Sequence, residues 1–317
     1  MFLRPVPMHL PDGFLSILVS VVLWVVTIAG VGYALRRAGK DLGERQVPLM
    51  GVLAAAIFAG QMLNFSVTGG TSGHLLGAAI ATILLGPWPA VIVMTTVVSI
   101  QALIFQDGGL VALGANIFNM AIVGVAVSSF VCTSLRRLPR GEPRGLLVSG
   151  FIAAWSSIFI ASLAAALELA VSGTSPANIA VPAMGGIHAL IGIGEGLITV
   201  GALAFLYATR RDLVSAESSG VQGSAVAWAF GLGIALLLAV LSPLASAHPD
   251  GLEWVAEQEG FLEAARGPLY RLLPDYVFPG VPNEVLATIL AGMVGTLLVF
   301  GVALGVAYLR RGRKAAG

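Results

Sequence analysis

The sequence predicts an all-α fold, a polytopic membrane helix bundle, and three observations carry that prediction. Only 10% of the 317 residues are charged while 57% are hydrophobic, against roughly 25% charged residues in soluble domains. Mean hydropathy is +0.93. Apolar stretches long enough to cross a bilayer, about 20 residues, recur along the whole chain. Together these exclude an ordinary soluble domain, a disordered chain and a nucleic-acid binder. The 40 glycines fit such a bundle, because small residues let helices approach closely in lipid. The single cysteine, Cys132, excludes an internal disulfide and argues against cysteine-based metal or redox chemistry.

By the length criterion the spans fall at 14–35, 47–63, 74–87, 88–105, 110–134, 146–172, 185–208, 224–245 and 285–309, about nine transmembrane helices. The third is short and meets the fourth at Gly86-Pro87-Trp88-Pro89, so a re-entrant segment is an alternative there, provided protein surrounds its backbone. Nine spans put the basic clusters on one side. These are Arg36, Arg37, Lys40 and Arg45; Arg136, Arg137, Arg140 and Arg144; Arg210 and Arg211; and Arg310, Arg311, Arg313 and Lys314. They account for 14 of the 17 Lys and Arg, whereas eight spans would split them. The positive-inside rule then predicts a cell-membrane protein with its N-terminus outside and its C-terminus cytoplasmic.

This layout divides the chain into four segments. Residues 1–7 form an extension without the apolar core or cleavage site of a signal peptide. Residues 8–210 form a seven-helix body. Residues 211–223, polar and containing Ser and Gly, read as a cytoplasmic linker. Residues 224–317 form a two-helix C-terminal hairpin around an extracytoplasmic loop. That loop carries Asp250, Glu253, Glu257, Glu259, Glu263 and Asp275 against Arg266 and Arg271. It reads as a solvated loop, or as a weak concentrator of cations. Within it, Pro249-Asp250-Gly251-Leu252-Glu253 has the form of a helix start. Asp250 would cap, Glu253 would place charge in the first turn, and Leu252, Val255 and Ala256 would share a face up to Gly260.

Four histidines, His9, His74, His188 and His248, all fall towards the outer side of this topology. If the mature chain begins at Met8, its amine, the His9 amide and the His9 imidazole offer one metal three nitrogens in a plane. The chelate rings have five and six members. Planar nitrogen coordination suits Ni(II) or Cu(II), and affinity should rise with pH because protons must leave. His74 is a candidate for the fourth ligand. It closes a Gly/Thr/Ser segment, Asn64 to His74, that interrupts two apolar stretches and reads either as a plain loop or as a binding break. Glu195 lies mid-span, where a carboxylate is costly and faces the bundle interior, in a packing role or on a cation path. Gly192 and Gly196 make a small-xxx-small pair. Glu168 is ambiguous in the same way as Glu195, while Asp107 and His248 read as outer-loop residues.

Two other classes are set beside this. Gly70-Thr71-Ser72-Gly73 with His188 has the look of a rhomboid-like intramembrane serine protease, Ser72 being the nucleophile and His188 the base. A freestanding cation channel is the other. No P-loop and no zinc-protease or paired-aspartate motif is present, so the chain does not read as an enzyme and would not itself hydrolyse ATP.

Met8-His9-Leu10-Pro11-Asp12-Gly13-Phe14, Gly69-Gly70-Thr71-Ser72-Gly73-His74-Leu75 and His188-Ala189-Leu190-Ile191-Gly192-Ile193-Gly194-Glu195 resemble the cobalt/nickel-specific substrate-binding membrane proteins of energy-coupling-factor (ECF) ABC transporters, the CbiM/NikM family. The C-terminal hairpin with Pro249-Asp250-Gly251-Leu252-Glu253 resembles the small CbiN/NikN accessory subunit, fused in one chain. The resemblance implies substrate capture of Ni(II) or Co(II), held by Met8, His9 and His74. Asn64, Thr71, Ser72, His188 and Glu195 would surround the ion or line its path. It implies partner ATPase subunits and a coupling transmembrane subunit, with no resident cofactor. It leaves nickel against cobalt, the latter for cobalamin synthesis, open. It also requires translation to start at Met8 or residues 1–7 to be removed, since a peptide bond to Pro7 would abolish the Met8 amine.

Overall fold

A computed structural model describes residues 9–43, 46–135, 143–214 and 225–311, so Met8 and most of the expected linker, residues 215–223, lie outside the described residues. Helix α1 (Ile17–Asp41) starts at Ser16, whose hydroxyl accepts from the Val19 amide and satisfies one of the orphan N–H groups of the first turn. Ile17, Leu18, Val21, Val22 and Val25 stay exposed along it. Such a continuous apolar face, repeated at Phe130, Leu197, Val226, Phe230 and Leu297, marks a surface made for lipid.

Helix α2 (Gln46–Gln61) is buried along most of its length and carries the two C-terminal helices, α9 (Ala225–Leu241) and α11 (Glu284–Arg311), which pack on it and on each other. Helices α7 (Pro143–Val171) and α8 (Ala177–Thr209) form an antiparallel pair. Gly192 and Gly196 belong to this contact, but against rings: a Cβ at Gly192 would lie 2.8 Å from the Trp155 ring and one at Gly196 2.6 Å from the Phe151 ring. The small pair therefore seats aromatic side chains of α7 on α8, rather than backbone on backbone.

The third expected span departs most. It holds a short helix, α3 (Ala78–Leu85), eight residues long, about 12 Å at 1.5 Å per residue. The rest of the passage, His74–Gly77, is non-helical. Helix α3 stops at Gly86, with φ +80°, and α4 (Pro87–Ile100) begins at once with Pro87 in its first turn. Among the described residues, seven of the expected nine spans are thus helices long and apolar enough to cross a membrane, while α2 has 16 residues and α3 eight. An all-helical reading also missed a hairpin. Strands β1 (Phe65–Val67) and β2 (Thr71–Gly73) pair antiparallel, Ser66 facing Ser72, around Gly69 and Gly70, both at positive φ.

Two helices end or begin in π-turns beside the site. Gln101–Phe105 widens the end of α4, and Phe118–Val123 separates α5 (Leu113–Ile117) from α6 (Gly124–Ser134). Such turns recur at functional sites. In the C-terminal loop, α10 (Gly251–Gln258) forms as its sequence suggests. Asp250 Oδ1 accepts from the Glu253 amide at 2.8 Å, Leu252, Val255 and Ala256 are buried, and Gly260 takes φ +76°.

Contacts sort the two ends of the bundle. The Gly39 region of α1 lies against the Arg310 carbonyl of α11, and the antiparallel α7–α8 pair brings Arg144 and Arg210 to one end. Phe14, before α1, is bonded by the Thr174 hydroxyl from the α7–α8 turn, so the start of α1 and that turn share the other end. The described basic residues Arg36, Arg37, Arg144, Arg210, Arg211, Arg310 and Arg311 therefore gather at one end, opposite His9, the β-hairpin and the C-terminal loop.

Candidate metal centre

The chain before α1 is tucked into the bundle, with His9, Leu10 and Phe14 all buried. A segment without helix or strand must find partners for its peptide groups elsewhere. Asn116 of α5 supplies two: its Oδ1 accepts from the Leu10 amide and its Nδ2 donates to the Leu10 carbonyl, each at 3.0 Å. Asp12 answers in the other direction. Its carboxylate accepts from the amides of Leu110, Val111 and Ala112 at 3.2, 2.8 and 3.0 Å, while its carbonyl accepts from the Arg266 amide of the C-terminal loop at 2.7 Å. His9 is thereby fixed at the mouth of the α5 region. Its Nδ1 lies 3.1 Å from Asp107 Oδ1 and 3.4 Å from the Asp107 carbonyl oxygen. The carboxylate contact is at ion-pair distance but off the line of a hydrogen bond. Among the described residues His9 Nε2 and Asp107 Oδ1 are both buried without a hydrogen-bond partner, so both atoms retain bonding capacity.

Burial by itself would lower the His9 imidazole below its usual value, but the Asp107 charge and contact more than reverse this and leave it raised. Burial likewise pushes the Asp107 carboxyl up, and His9 and the Tyr276 hydroxyl bring it down below its ordinary range. The pair stabilises its own charged forms.

His74 sits on the broken leg between β2 and α3. A non-helical stretch at this depth exposes amides that water cannot reach. Glu195, fully buried in α8, accepts from the Leu76 amide at 2.7 Å and the Gly77 amide at 3.0 Å. Gln61, at the end of α2, donates to the Leu76 carbonyl at 2.9 Å. The mid-span carboxylate thus takes the place of the helical bonds that the leg lacks. His74 Nδ1 lies 3.0 Å from the Leu75 carbonyl, which leaves its other ring nitrogen for a ligand role. The His9 and His74 rings stand edge to face with centroids 5.5 Å apart. A metal–nitrogen bond of about 2 Å would bring both rings within reach of one ion.

A cavity of about 90 Å³ lies between them, bounded by His9, His74, Asn116, Asn119, His188 and Asp250. It suits an ion with a few waters and is far below the roughly 300 Å³ of an organic-ligand pocket. Among the described residues no group of three or more His, Cys, Asp or Glu side chains could hold a metal. An ion here would complete its coordination from backbone or terminal nitrogen.

The other expected site residues divide. His188 lines the cavity, but its Nδ1 lies 2.8 Å from the Met184 carbonyl. Thr71 and Ser72 face the C-terminal region: the Thr71 hydroxyl donates to the Pro249 carbonyl at 3.1 Å and the Ser72 hydroxyl to the His248 carbonyl at 2.8 Å. The Ser72 amide donates to Pro249 as well. Ser72 and His188, the protease pair, are thus each bonded to a backbone carbonyl instead. Asn64 lies outside the cavity lining, its carbonyl accepting from the Ser246 amide at 2.8 Å. Glu168 accepts from Asn119 Nδ2 at 2.8 Å. Asp107, read from sequence as an outer-loop residue, does lie in the loop before α5 but is buried there against His9. Asn116 and Gln61 were missed, although polar side chains within apolar stretches are the signal that marks them.

The fold and the site define a class: a multi-pass membrane protein with two imidazoles on one small cavity near one end of its bundle. Residues 9–213 match the family model of the cobalt uptake substrate-specific transmembrane region, and residues 225–312 match that of the PDGLE domain. The chain belongs to this cobalt/nickel transport family, with both parts in one polypeptide. It is 38% identical over 311 residues to a putative fused nickel transport protein NikMN of Archaeoglobus fulgidus, covering 97% of this chain and 100% of that one. A cobalt transport protein CbiM of Sorangium cellulosum is 34% identical and covers 65% of this chain and 94% of its own length. A crystal structure described as a truncated transition metal transporter superposes with a TM-score of 0.55 at 34% identity, covering 63% of this chain and 98% of that one.

Proposed function

We propose that the chain is the substrate-capture component of an ECF-type transporter for Ni(II), with Co(II) the second candidate. The observation that carries the reading is the edge-to-face pair of His9 and His74 on one small cavity, at the end of the bundle opposite the basic residues. By the positive-inside rule the basic end is cytoplasmic, so the cavity faces the side from which metal arrives. The ion is held by the Met8 amine, the His9 amide and imidazole, and His74. The six-membered chelate with the His9 amide uses Nδ1, which here faces Asp107. Metal capture therefore turns the ring over about Cβ–Cγ, placing Nδ1 on the ion and the Nε2 edge towards Asp107. Planar nitrogen ligation favours nickel, as does the nickel-transport name of the fused full-length relative. ATP hydrolysis in partner subunits, through a coupling membrane subunit, then drives inward release.

Metal analysis of the purified chain after growth with both metals, together with intact mass, tests this. The expected result is bound nickel and a mass that begins at Met8. His9→Ala and His74→Ala should each lose tight Ni(II) binding while keeping the fold. Wild-type affinity in either folded variant, or residues 1–7 retained in a metal-loaded sample, refutes the assignment.

A further inference from the structure

The C-terminal loop reaches His9 through two residues that the ligand set does not contain. Tyr276 Oη donates to Asp107 Oδ2 at 2.6 Å, the length of a hydroxyl bonded to a charged carboxylate. That bond fixes one carboxylate oxygen and leaves Oδ1, 3.1 Å from the His9 ring, without a hydrogen bond among the described residues. The Tyr276 ring is stacked on Phe105 with centroids 4.8 Å apart and planes 15° apart, and Phe105 is fully buried. Asp275 and Tyr276 both take positive φ, +57° and +56°. Two successive non-glycine residues in the left-handed region persist only where the surroundings over-determine them, and such strain collects at functional sites.

The same loop grips the segment that bears Asp107. The Leu273 amide donates to the Ile104 carbonyl at 3.0 Å, the Leu272 amide to Gln106 Oε1 at 3.2 Å, and the Tyr270 hydroxyl to the Leu103 carbonyl at 2.7 Å. On the other flank the Arg266 amide holds Asp12. Both sides of the His9–Asp107 pair are thus tied to residues 266–276, more than 50 positions beyond the end of the metal-binding body.

We infer that Tyr276 and Asp107 are positioning residues for the metal. Tyr276 orients the Asp107 carboxylate, and Asp107 accepts the N–H of whichever His9 nitrogen is not on the ion, fixing the ring for ligation. The inference rests on the reading of His9 as a ligand. It makes the C-terminal region part of the metal site and not only a cover over it. Carboxylates that orient a ligating imidazole are worth about 10–100-fold in metal affinity. Tyr276→Phe keeps the ring and its stacking and removes only the hydroxyl.

The test is Ni(II) titration of the purified full chain as wild type, Tyr276→Phe, Asp107→Asn, the double variant and His9→Ala, with the ligand-field spectrum recorded at saturation. Tyr276→Phe should weaken binding about tenfold and Asp107→Asn by about 10–100-fold. The double variant should be no weaker than Asp107→Asn alone, because one residue acts through the other. The Ni(II) band should shift in the same sense in both single variants. Wild-type affinity in Tyr276→Phe overturns the inference, as do losses that multiply in the double variant. If His9→Ala binds like wild type, the ligand reading itself fails and takes the inference with it. If His9→Ala loses binding while Tyr276→Phe does not weaken it, only the inference fails.

Discussion

The two histidines of the site are held by opposite means. His74 stands on a leg that belongs wholly to the body, with its peptide groups answered by Glu195 of α8 and Gln61 of α2. His9 stands on a terminal segment whose supports come partly from α5, through Asn116, and partly from the C-terminal loop, through Arg266 and the Tyr276–Asp107 pair. The first is a break inside the bundle, which a buried carboxylate must repair if the fold is to stand. The second is a guest segment that the fold accommodates. One ligand is therefore coupled to global stability and the other to the docking of a distant region.

Glu195 gives the largest expected effect and the sharpest way to break this contrast. Glu195→Ala leaves the Leu76 and Gly77 amides buried without acceptors, at about 1–3 kcal/mol for each group. It should lower the thermal unfolding temperature in detergent and abolish Ni(II) binding together. Glu195→Gln keeps one acceptor and should retain part of both. A Glu195→Ala protein with the melting temperature and affinity of wild type would show that the leg is held some other way. Asn116→Ala comes next. It removes both bonds to Leu10, so Ni(II) affinity should fall roughly tenfold or more for a loss of about 1–3 kcal/mol. Amide exchange should speed up in residues 9–14 and change little in α8. Exchange that rises equally across the bundle would erase the distinction between guest segment and structural leg. The smallest effect is expected for Ser72→Ala, which gives up one hydroxyl bond to His248, about 1 kcal/mol. Metal uptake in cells should persist, and its complete loss in a folded Ser72→Ala protein would reopen a chemical role for that hydroxyl.

Much of the contrast was visible in the residues themselves. Four histidines in 317 residues, two of them beside Gly-, Pro- or Ser-rich breaks in apolar sequence, stand out without any coordinates. So did the Asp250 cap, because capping depends on neighbours three positions away. Asp107 did not, since Gln106-Asp107-Gly108-Gly109 reads as any polar loop and its partners, His9 and Tyr276, lie 98 and 169 positions away. Hydropathy could not place the start of α3 either. Leu75 and Leu76 are as apolar as α3 itself, and only the left-handed backbone at Gly77 separates them from it. Strands of three residues leave too short a pattern to distinguish from a turn. The Gly192–Gly196 spacing identified a contact face correctly in position, but not that tryptophan and phenylalanine fill it.

The π-turn at Gln101–Phe105 has a consequence for how this site can be lost. The amides of Gln106 and Asp107 both close on the Gln101 carbonyl, the latter at 3.0 Å, so the place of Asp107 depends on one more residue than an ordinary helix end would hold. A π-turn holds one residue more than an α-turn, so deleting any single residue from 101–105 would let it relax to α-helical winding with little rotation of the chain beyond it. Deleting one residue from the α-helical part of α4 would instead turn the chain beyond it by about 100° and swing Asp107 off His9, although no ligand and no net charge had changed. Such a deletion would be hard to recognise as damaging from composition or hydropathy.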